Sequence, residues 1–453
     1  MGCARNDVDS DELAGRLLAD GWELADSPKA ADVVLVNTCG FIDAAKSDSI
    51  STVLELSDSA HVVATGCMAE RYGSELAQAL PEADAVLGFD HYPVIGQTLR
   101  RVLGGEHISS HQPRDRRQLL PVTPVKRRAT GLAIPGHSAA GALGGTADRI
   151  IIRHRLGTGP VAALKIASGC DRRCSFCAIP AFRGAFVSRT PDEILAEARS
   201  LVEQGVREVV LVSENSTAYG KDLPGSGGLA GLLRQLATVD GLFRIRASYL
   251  QPAEIRPDLL DTMADLDVVA DYYDISFQHA SGDLLRRMRR FGDAESFLGL
   301  VEGIRQRSPQ AGIRSNVILG FPGETDRDVA ILTDFLNRAR LDAIGVFGYS
   351  DEDGTEAASL EPKVPSDLID QRVAAVTELA DVLAEDRAQQ RVGVDTVVLV
   401  EEGRRGRAAH QGPEDGGAVL LGGPDPAPGD LVSGRVVACD GADLTIAVAG
   451  LAL

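Results

Sequence analysis

The run Gly169-Cys170-Asp171-Arg172-Arg173-Cys174-Ser175-Phe176-Cys177 decides how this chain is read. It follows a short apolar stretch at 164–167 and places three thiols at C-x3-C-x2-C spacing. No Cys or His comes after it before His279, and the nearest His upstream is His154. Structural zinc takes four protein ligands, usually as paired motifs, so this run is half a zinc site at most. Iron–sulfur clusters are held by thiolates, normally four. A cubane held by three keeps one iron open for a small molecule, and that is the reading the spacing favours over zinc or chance.

Outward from this run the sequence alternates between strand and helix. Strand-like segments are expected at 164–167, 208–212, 243–248, 271–276, 313–318 and 342–347, with amphipathic helices at 192–203, 228–237, 256–265, 294–306 and 326–339. Pro191, with acids behind it, is a helix-start signal. Six such units predict a partial TIM-type (β/α)6 barrel. Active sites of these barrels lie at the carboxyl ends of the strands, which is where the cysteine run falls.

The first hundred residues alternate as well, with strands at 32–36, 61–64 and 85–87 and helices at 43–56 and 69–80, predicting a doubly wound parallel sheet. Cys39 and Cys67 each follow one of these strands directly, and Cys3 sits in a similar Gly-Cys phrase. Carboxyl ends of parallel strands share one sheet edge, where ligands bind. The three thiols are therefore candidates for a second cluster, against the plainer reading of buried Cys as a small hydrophobe. Cys439 has no such partner and is read as core.

Residues 104–160 are rich in Gly, Pro, Ser, His and Arg and lack periodicity, which predicts a long, partly disordered linker. Its basic residues, Arg114, Arg116, Arg117, Lys126, Arg127 and Arg128, read as solvated or, less favourably, as an RNA-touching arm. A last helix is expected at 368–392, then short strands at 395–400, 418–421, 430–437 and 443–448 forming a small antiparallel β-barrel. The domains expected are thus 1–103, the linker 104–160, a core at 161–390 and a barrel at 391–453.

Bulk composition narrows the function. The 453 residues are 44% hydrophobic and 25% charged, ordinary for a globular protein, and hold no long apolar run and no basic–apolar leader. Seven scattered cysteines do not make a secreted disulfide framework; a reducing cytoplasm is expected, with no membrane association. The formal charge of −19 disfavours nucleic acid and favours basic protein partners. Residues 391–453 carry five Arg/Lys against nine acids, a net of −4, unlike an RNA-binding barrel.

Taken together, these residues resemble the radical S-adenosylmethionine (SAM) methylthiotransferases over nearly the whole chain. The matching phrases are Gly2-Cys3 with Asn6, Asp9 and Ser10, Cys177-Ala178-Ile179-Pro180 with Arg183-Gly184, Gln278-His279, and Gly320-Phe321-Pro322-Gly323-Glu324-Thr325. The resemblance implies a methylthiotransferase cluster domain, a radical SAM core and a C-terminal TRAM barrel. It also implies two 4Fe–4S clusters, on Cys170, Cys174 and Cys177 and on Cys3, Cys39 and Cys67. Two substrate branches exist. The phrase Tyr349-Ser350-Asp351-Glu352-Asp353-Gly354-Thr355, and the segment 409–416, are similar to the branch that modifies an aspartate of small-subunit ribosomal protein twelve, free or in the ribosome; the other branch modifies a tRNA adenosine. A non-catalytic iron–sulfur carrier or RNA-binding module is the alternative of another class.

In such enzymes the cluster with the open iron chelates SAM, and cleavage yields a 5′-deoxyadenosyl radical. The second cluster supplies a methylated sulfur, so two SAM are consumed per product, and a reductant such as flavodoxin or ferredoxin is needed. Glu214, at the end of the second strand, is the candidate for the SAM amino group, although the family phrase there is Gln-Asp and this chain has Glu214-Asn215. Gly320 and Gly323 are candidates for close backbone approach to SAM, Gln278 and His279 for the ribose or substrate, and Arg314 for a carboxylate. No catalytic residue beyond the cluster ligands stands out. The family places a strand before the first Gly-Cys, whereas this sequence opens at Met1-Gly2-Cys3, so an upstream alternative start codon is expected.

Overall fold

The computed structural model describes residues 3–40, 43–130, 132–137 and 153–452. The amino-terminal part opens with helix α1 (Ala4–Ala19), whose inner face buries Val8, Leu13 and Leu17. Strands β1 (Val33–Thr38), β2 (His61–Gly66) and β3 (Ala85–Val86) form a parallel sheet in that order. Helices α2 (Asp43–Ser57), α3 (Cys67–Ala79) and α4 (Ile95–Leu103) are interleaved with them and pack beside the sheet.

The central part carries β4 (Val161–Lys165), β5 (Glu208–Val212) and β6 (Arg244–Ala247) in one parallel sheet. A second holds β7 (Tyr272–Asp274), β8 (Gly312–Leu319) and β9 (Ala343–Gly348), also parallel. A bridge between Leu250 and Ile275 joins the two at the β6–β7 seam, giving an open six-stranded barrel. Helices α5 (Pro191–Glu203), α6 (Gly228–Leu236), α7 (Pro257–Asp265), α8 (Ala294–Arg307) and α9 (Asp326–Ala339) form the outer layer. Thr190 starts α5 with a reciprocal capping box to Glu193 and Pro191 at the first turn, as the sequence signals. Between strands and helices lies the main core, including Leu211, Ile245, Phe277, Phe297 and Phe335, all buried.

Helix α10 (Ser366–Gln389) leads into a closed five-stranded barrel: β10 (Asp395–Glu402), β11 (Arg405–Ala408), β12 (Ala418–Leu421), β13 (Leu431–Asp440) and β14 (Asp443–Ala452). The expected antiparallel order is corrected at one seam, since β12 pairs parallel with β14. Cys439 is half-buried at the edge of this barrel, its sulfur 3.3 Å from Gln389 Oε1, and not a full core residue. The barrel seats under the amino ends of the central strands. There Glu208, fully buried, receives Arg246 Nε at 2.9 Å and Arg244 Nη1 at 3.2 Å, and both arginines donate onward to backbone carbonyls of Arg407 and Ala409.

The largest departure from expectation is in residues 104–137. Arg116 is buried on Glu70 at 2.8 Å, and Arg127 is buried with Nη1 2.8 Å from Asp171 and from the Phe186 carbonyl. Arg128 donates to the Ser188 carbonyl at 2.7 Å. Arg114, Arg117 and Lys126 are exposed, as the solvated reading expects, whereas Arg116, Arg127 and Arg128 strap the first domain to the cysteine loop and the strands beside it. Within the expected linker, residues 131 and 138–152 lie outside the described residues.

Candidate functional site

Register brings the first triad together. Thr38 of β1 pairs with Gly66 of β2, so Cys39 and Cys67 leave adjacent strands side by side. Gly66 sits at φ +91, where a Cβ would lie 2.1 Å from Asn37 Oδ1, so only glycine lets the chain turn here from β2 into α3. Cys3 caps the start of α1. Asn6, one turn on, donates to the Asn37 carbonyl at 3.2 Å and lies 3.6 Å from the Cys67 sulfur, fixing α1 to the same sheet edge.

The second triad is held by the central barrel. Cys170 N–H donates to the Gly184 carbonyl at 3.0 Å. Ser175, in the middle of the loop, is buried and ties it to distant loops: its N–H donates to Met288, its hydroxyl to Arg287, and its carbonyl accepts from Ala357. Arg290 Nη1 lies 3.8 Å from the Cys174 sulfur.

Between the triads stands a buried charged bridge. Arg5 lies 3.5 Å from the Cys3 sulfur, and Arg183 Nη2 donates to the Cys67 sulfur at 3.0 Å. Glu214, 2% exposed, faces both guanidiniums, at 4.0 Å from Arg5 and 3.9 Å from Arg183. Arg183 also pairs with Asp9 at 2.9 Å, and Asp9 pairs with Lys165 at the end of β4. Burial pushes the Cys3 thiol up, but Arg5 and then Arg183 outweigh it and hold it below its ordinary value. Burial, opposed by Arg183, leaves Cys67 pushed up to about 11. Cys177 is pushed up to about 12 by burial and then by Cys174, and Cys170 is raised by burial above all. Such thiols become thiolates when a metal takes the proton's place.

Whether these residues fit iron–sulfur clusters is decided by the donors. All six thiols are free, and soft thiolates select iron–sulfur or zinc. Each triad offers three thiols and no fourth Cys or His in its motif, which is fewer than a structural zinc takes. Buried polar atoms without hydrogen-bond partners, Glu214 Oε2 and Arg183 Nη1, lie in this charged bridge. The donor set fits a cluster at each triad.

The other expected contacts divide. Glu214 reaches the site. Gln278 takes φ +71 and links β7 to β8 through Asn316 and Ile318. His279 is fully buried, accepting from Ser281 N–H at 3.0 Å and facing Glu324 at 3.6 Å, which makes it part of the scaffold. Gly320 and Gly323 do have φ +79 and +83, but the space their Cβ atoms would fill is taken by Ile369 and by the Arg287 guanidinium. Both glycines thus serve close packing against these side chains. Arg314 is third in β8, at the opposite end of the barrel, held by Asp415 at 2.8 Å and Asp274 at 3.3 Å. It is not brought to the site. Sequence reasoning overlooked Arg5, Lys165 and Arg290; Arg183 and Asp9 stood in the quoted phrases without a role.

Residues 164–336 match the radical SAM superfamily, and residues 1–88 match uncharacterized protein family UPF0004. The ribosomal protein uS12 methylthiotransferase RimO of Saccharopolyspora erythraea is 56% identical over 462 residues, spanning 100% of this chain and 94% of the relative. The chain belongs to the RimO family. RimO of Streptomyces coelicolor is 54% identical, over 98% of this chain and 94% of that one. RimO of Cutibacterium acnes is 56% identical, over 98% and 96%. The radical SAM methyltransferase TsrM from Kitasatospora setae shares the fold, with a TM-score of 0.55 at 15% identity over 85% of this chain and 75% of that one. For a RimO family member, two triads opening on one buried junction is the arrangement to explain.

Proposed function

We propose that this chain adds a methylthio group to the β-carbon of an aspartate in ribosomal protein uS12, consuming two SAM per product. Cys170, Cys174 and Cys177 would hold one 4Fe–4S cluster and Cys3, Cys39 and Cys67 the other, with Glu214 and Gln278 as candidate contacts to SAM. The domains are read as cluster domain 1–103, connecting segment 104–160, radical SAM core 161–390 and TRAM barrel 391–453. The observation that supports this reading is the Arg5–Glu214–Arg183 bridge: it touches Cys3 and Cys67, and Gly184, next to Arg183, accepts from the Cys170 N–H.

Breaking a carbon–hydrogen bond at an aspartate Cβ is beyond side-chain acids and bases, so bound SAM and clusters supply the radical and the sulfur. The chain's own residues organise that chemistry. Arg5 and Arg183 offset the negative charge of three thiolates, Asp9 and Lys165 lock Arg183 in place, and the Ser175 contacts fix the Cys170–Cys177 loop. A reductant such as flavodoxin or ferredoxin would deliver electrons. No helix among the described residues is long and apolar enough to cross a membrane, and a cytoplasmic setting suits the thiols and the substrate.

Anaerobic reconstitution with iron, sulfide, SAM and reductant, offered uS12 or tRNA in parallel, tests the reading. Methylthiolated aspartate in uS12 is the expected product. Transfer to tRNA alone would assign the chain to the other branch.

A further inference from the structure

Against the Cys170–Cys174 stretch of the loop lies an open pocket of about 570 Å³. Arg172, Arg173, Lys221, Arg286, Arg289 and Arg290 line it, against three carboxylates, Asp171, Asp222 and Glu254. The chain as a whole carries −19, so a cationic surface here opposes its general charge. Glu254 pairs with two of the lining cations, Lys221 at 2.6 Å and Arg172, while Asp171 is engaged from within by Arg127 at 2.8 Å and Asp222 by Ser188 N–H at 2.8 Å, leaving Arg173, Arg286, Arg289 and Arg290 as the cationic face. Arg286 and Arg289 pair at the rim with Asp283 and Glu356, and both stay about half exposed or more. Arg173 is exposed and has no acidic partner among the described residues. Phe291 stands among them 75% exposed. An exposed aromatic ringed by cations has the composition of a protein-docking anchor.

Position gives this surface its meaning. Arg290 lines the pocket while its Nη1 lies 3.8 Å from the Cys174 sulfur. A cationic surface repels a ribosomal protein rich in Lys and Arg and attracts an acidic partner. We propose that this pocket is the docking surface for an acidic one-electron carrier protein, whose electron enters beside Arg290 and Cys174. The inference rests on the reading that Cys170, Cys174 and Cys177 hold a reducible cluster. One electron leaves the carrier, which is oxidised, and enters that cluster, which is reduced; no proton or group moves.

The test compares two electron sources on the reconstituted holoenzyme. In the variant Arg286→Glu/Arg289→Glu, 5′-deoxyadenosine formation is measured with reduced flavodoxin, an acidic carrier, and with dithionite, which needs no docking. The flavodoxin KM is expected to rise about tenfold and to lose most of its salt dependence, with the dithionite rate unchanged. Phe291→Ala is expected to weaken flavodoxin binding by calorimetry without changing the dithionite rate. An unchanged flavodoxin KM overturns the proposal. So does weakened binding of ribosomes with flavodoxin kinetics intact, which would assign the patch to RNA. Absence of dithionite-driven cleavage in the unmodified enzyme would instead overturn the underlying reading of the triad.

Discussion

Arg183 donates from Nη2 to the Cys67 sulfur at 3.0 Å, and the same nitrogen lies 2.9 Å from Asp9 Oδ2. One guanidinium from the central barrel thus touches a thiol of the first domain and is locked by a carboxylate of that domain. Hydrogen bonds and charge at a ligating sulfur set a cluster's potential. Arg183→Gln removes both, so the potential of the cluster on Cys3, Cys39 and Cys67 is expected to fall. Methylthiolation should drop roughly 10- to 100-fold, as when the groups that support metal ligands are removed, with partial rescue by Arg183→Lys. Spectroelectrochemistry on the reconstituted protein reads the shift, and an unmoved potential would reduce Arg183 to a packing role.

The two triads sit on separate elements with separate anchors. A Cys170/Cys174/Cys177→Ala variant is expected to keep about half the iron of the unmodified protein if each triad binds one cubane. Iron and sulfide analysis, with circular dichroism to verify folding, gives the answer; complete loss from a folded variant would contradict independent sites.

Glu352 belongs to the phrase that resembles the ribosomal-protein branch, yet it reaches back to the first domain. It accepts from Arg71 at 2.7 Å and Lys46 at 3.1 Å, while Arg71 also donates to the Gly40 carbonyl at 3.0 Å, next to Cys39. A charge-assisted contact of this kind contributes about 1.5–3 kcal/mol. Glu352→Gln is expected to lower methylthiolation roughly tenfold while leaving 5′-deoxyadenosine formation nearly intact. Product analysis by mass spectrometry separates the two, and equal losses in both would mean that the phrase serves the barrel alone.

Glu208 gives a stability prediction with a defined sign. Burial pushes its pKa up, but Arg246 and Arg244 outweigh burial and hold it below the ordinary glutamate value. A depressed folded-state pKa contributes stability that is present above the unfolded value of about 4.3 and is lost as pH falls through the folded value. Glu208→Ala leaves two buried arginines unpaired and is expected to cost about 3–5 kcal/mol at neutral pH. The difference from the unmodified protein should narrow below pH 4. Denaturant titrations across that range provide the measurement, and a pH-independent difference would refute the pairing.

Gly320→Ala places a side chain at φ +79 with Ile369 in its way. The backbone alone accounts for about 1–2 kcal/mol of destabilisation. Adding Ile369→Ala is expected to recover part of the loss in thermal unfolding. No recovery would mean that the glycine is needed for something other than seating α10.

The sequence was most legible where periodicity is strong and neighbours are near. The segments at 208–212 and 326–339 appear as β5 and α9 because an apolar run and a capped amphipathic stretch each have one reading. Strand β11 went unseen because Arg405–Ala408 alternates arginine with Gly and Ala and has no apolar run. The strap was misread for a different reason: the acids that neutralise Arg116 and Arg127, Glu70 and Asp171, are 46 and 44 residues away. At the site, strand ends disclosed Cys39 and Cys67, but the bridge of Arg5, Arg183 and Glu214 exists only once two domains meet. Arg314 could have been placed correctly, since it lies near the start of its expected strand and active sites lie at the other end.

The Asp9–Lys165 pair has a consequence for how such a protein can be assembled and exchanged. Both side chains are wholly buried, one from the first helix of the chain and one from the first strand of the central barrel. Neither half can carry its member alone without an uncompensated buried charge. The two thiol sites are therefore not interchangeable modules: a cluster domain grafted from another enzyme must bring its own counter-charge, and the two halves must be inherited, or redesigned, as one piece.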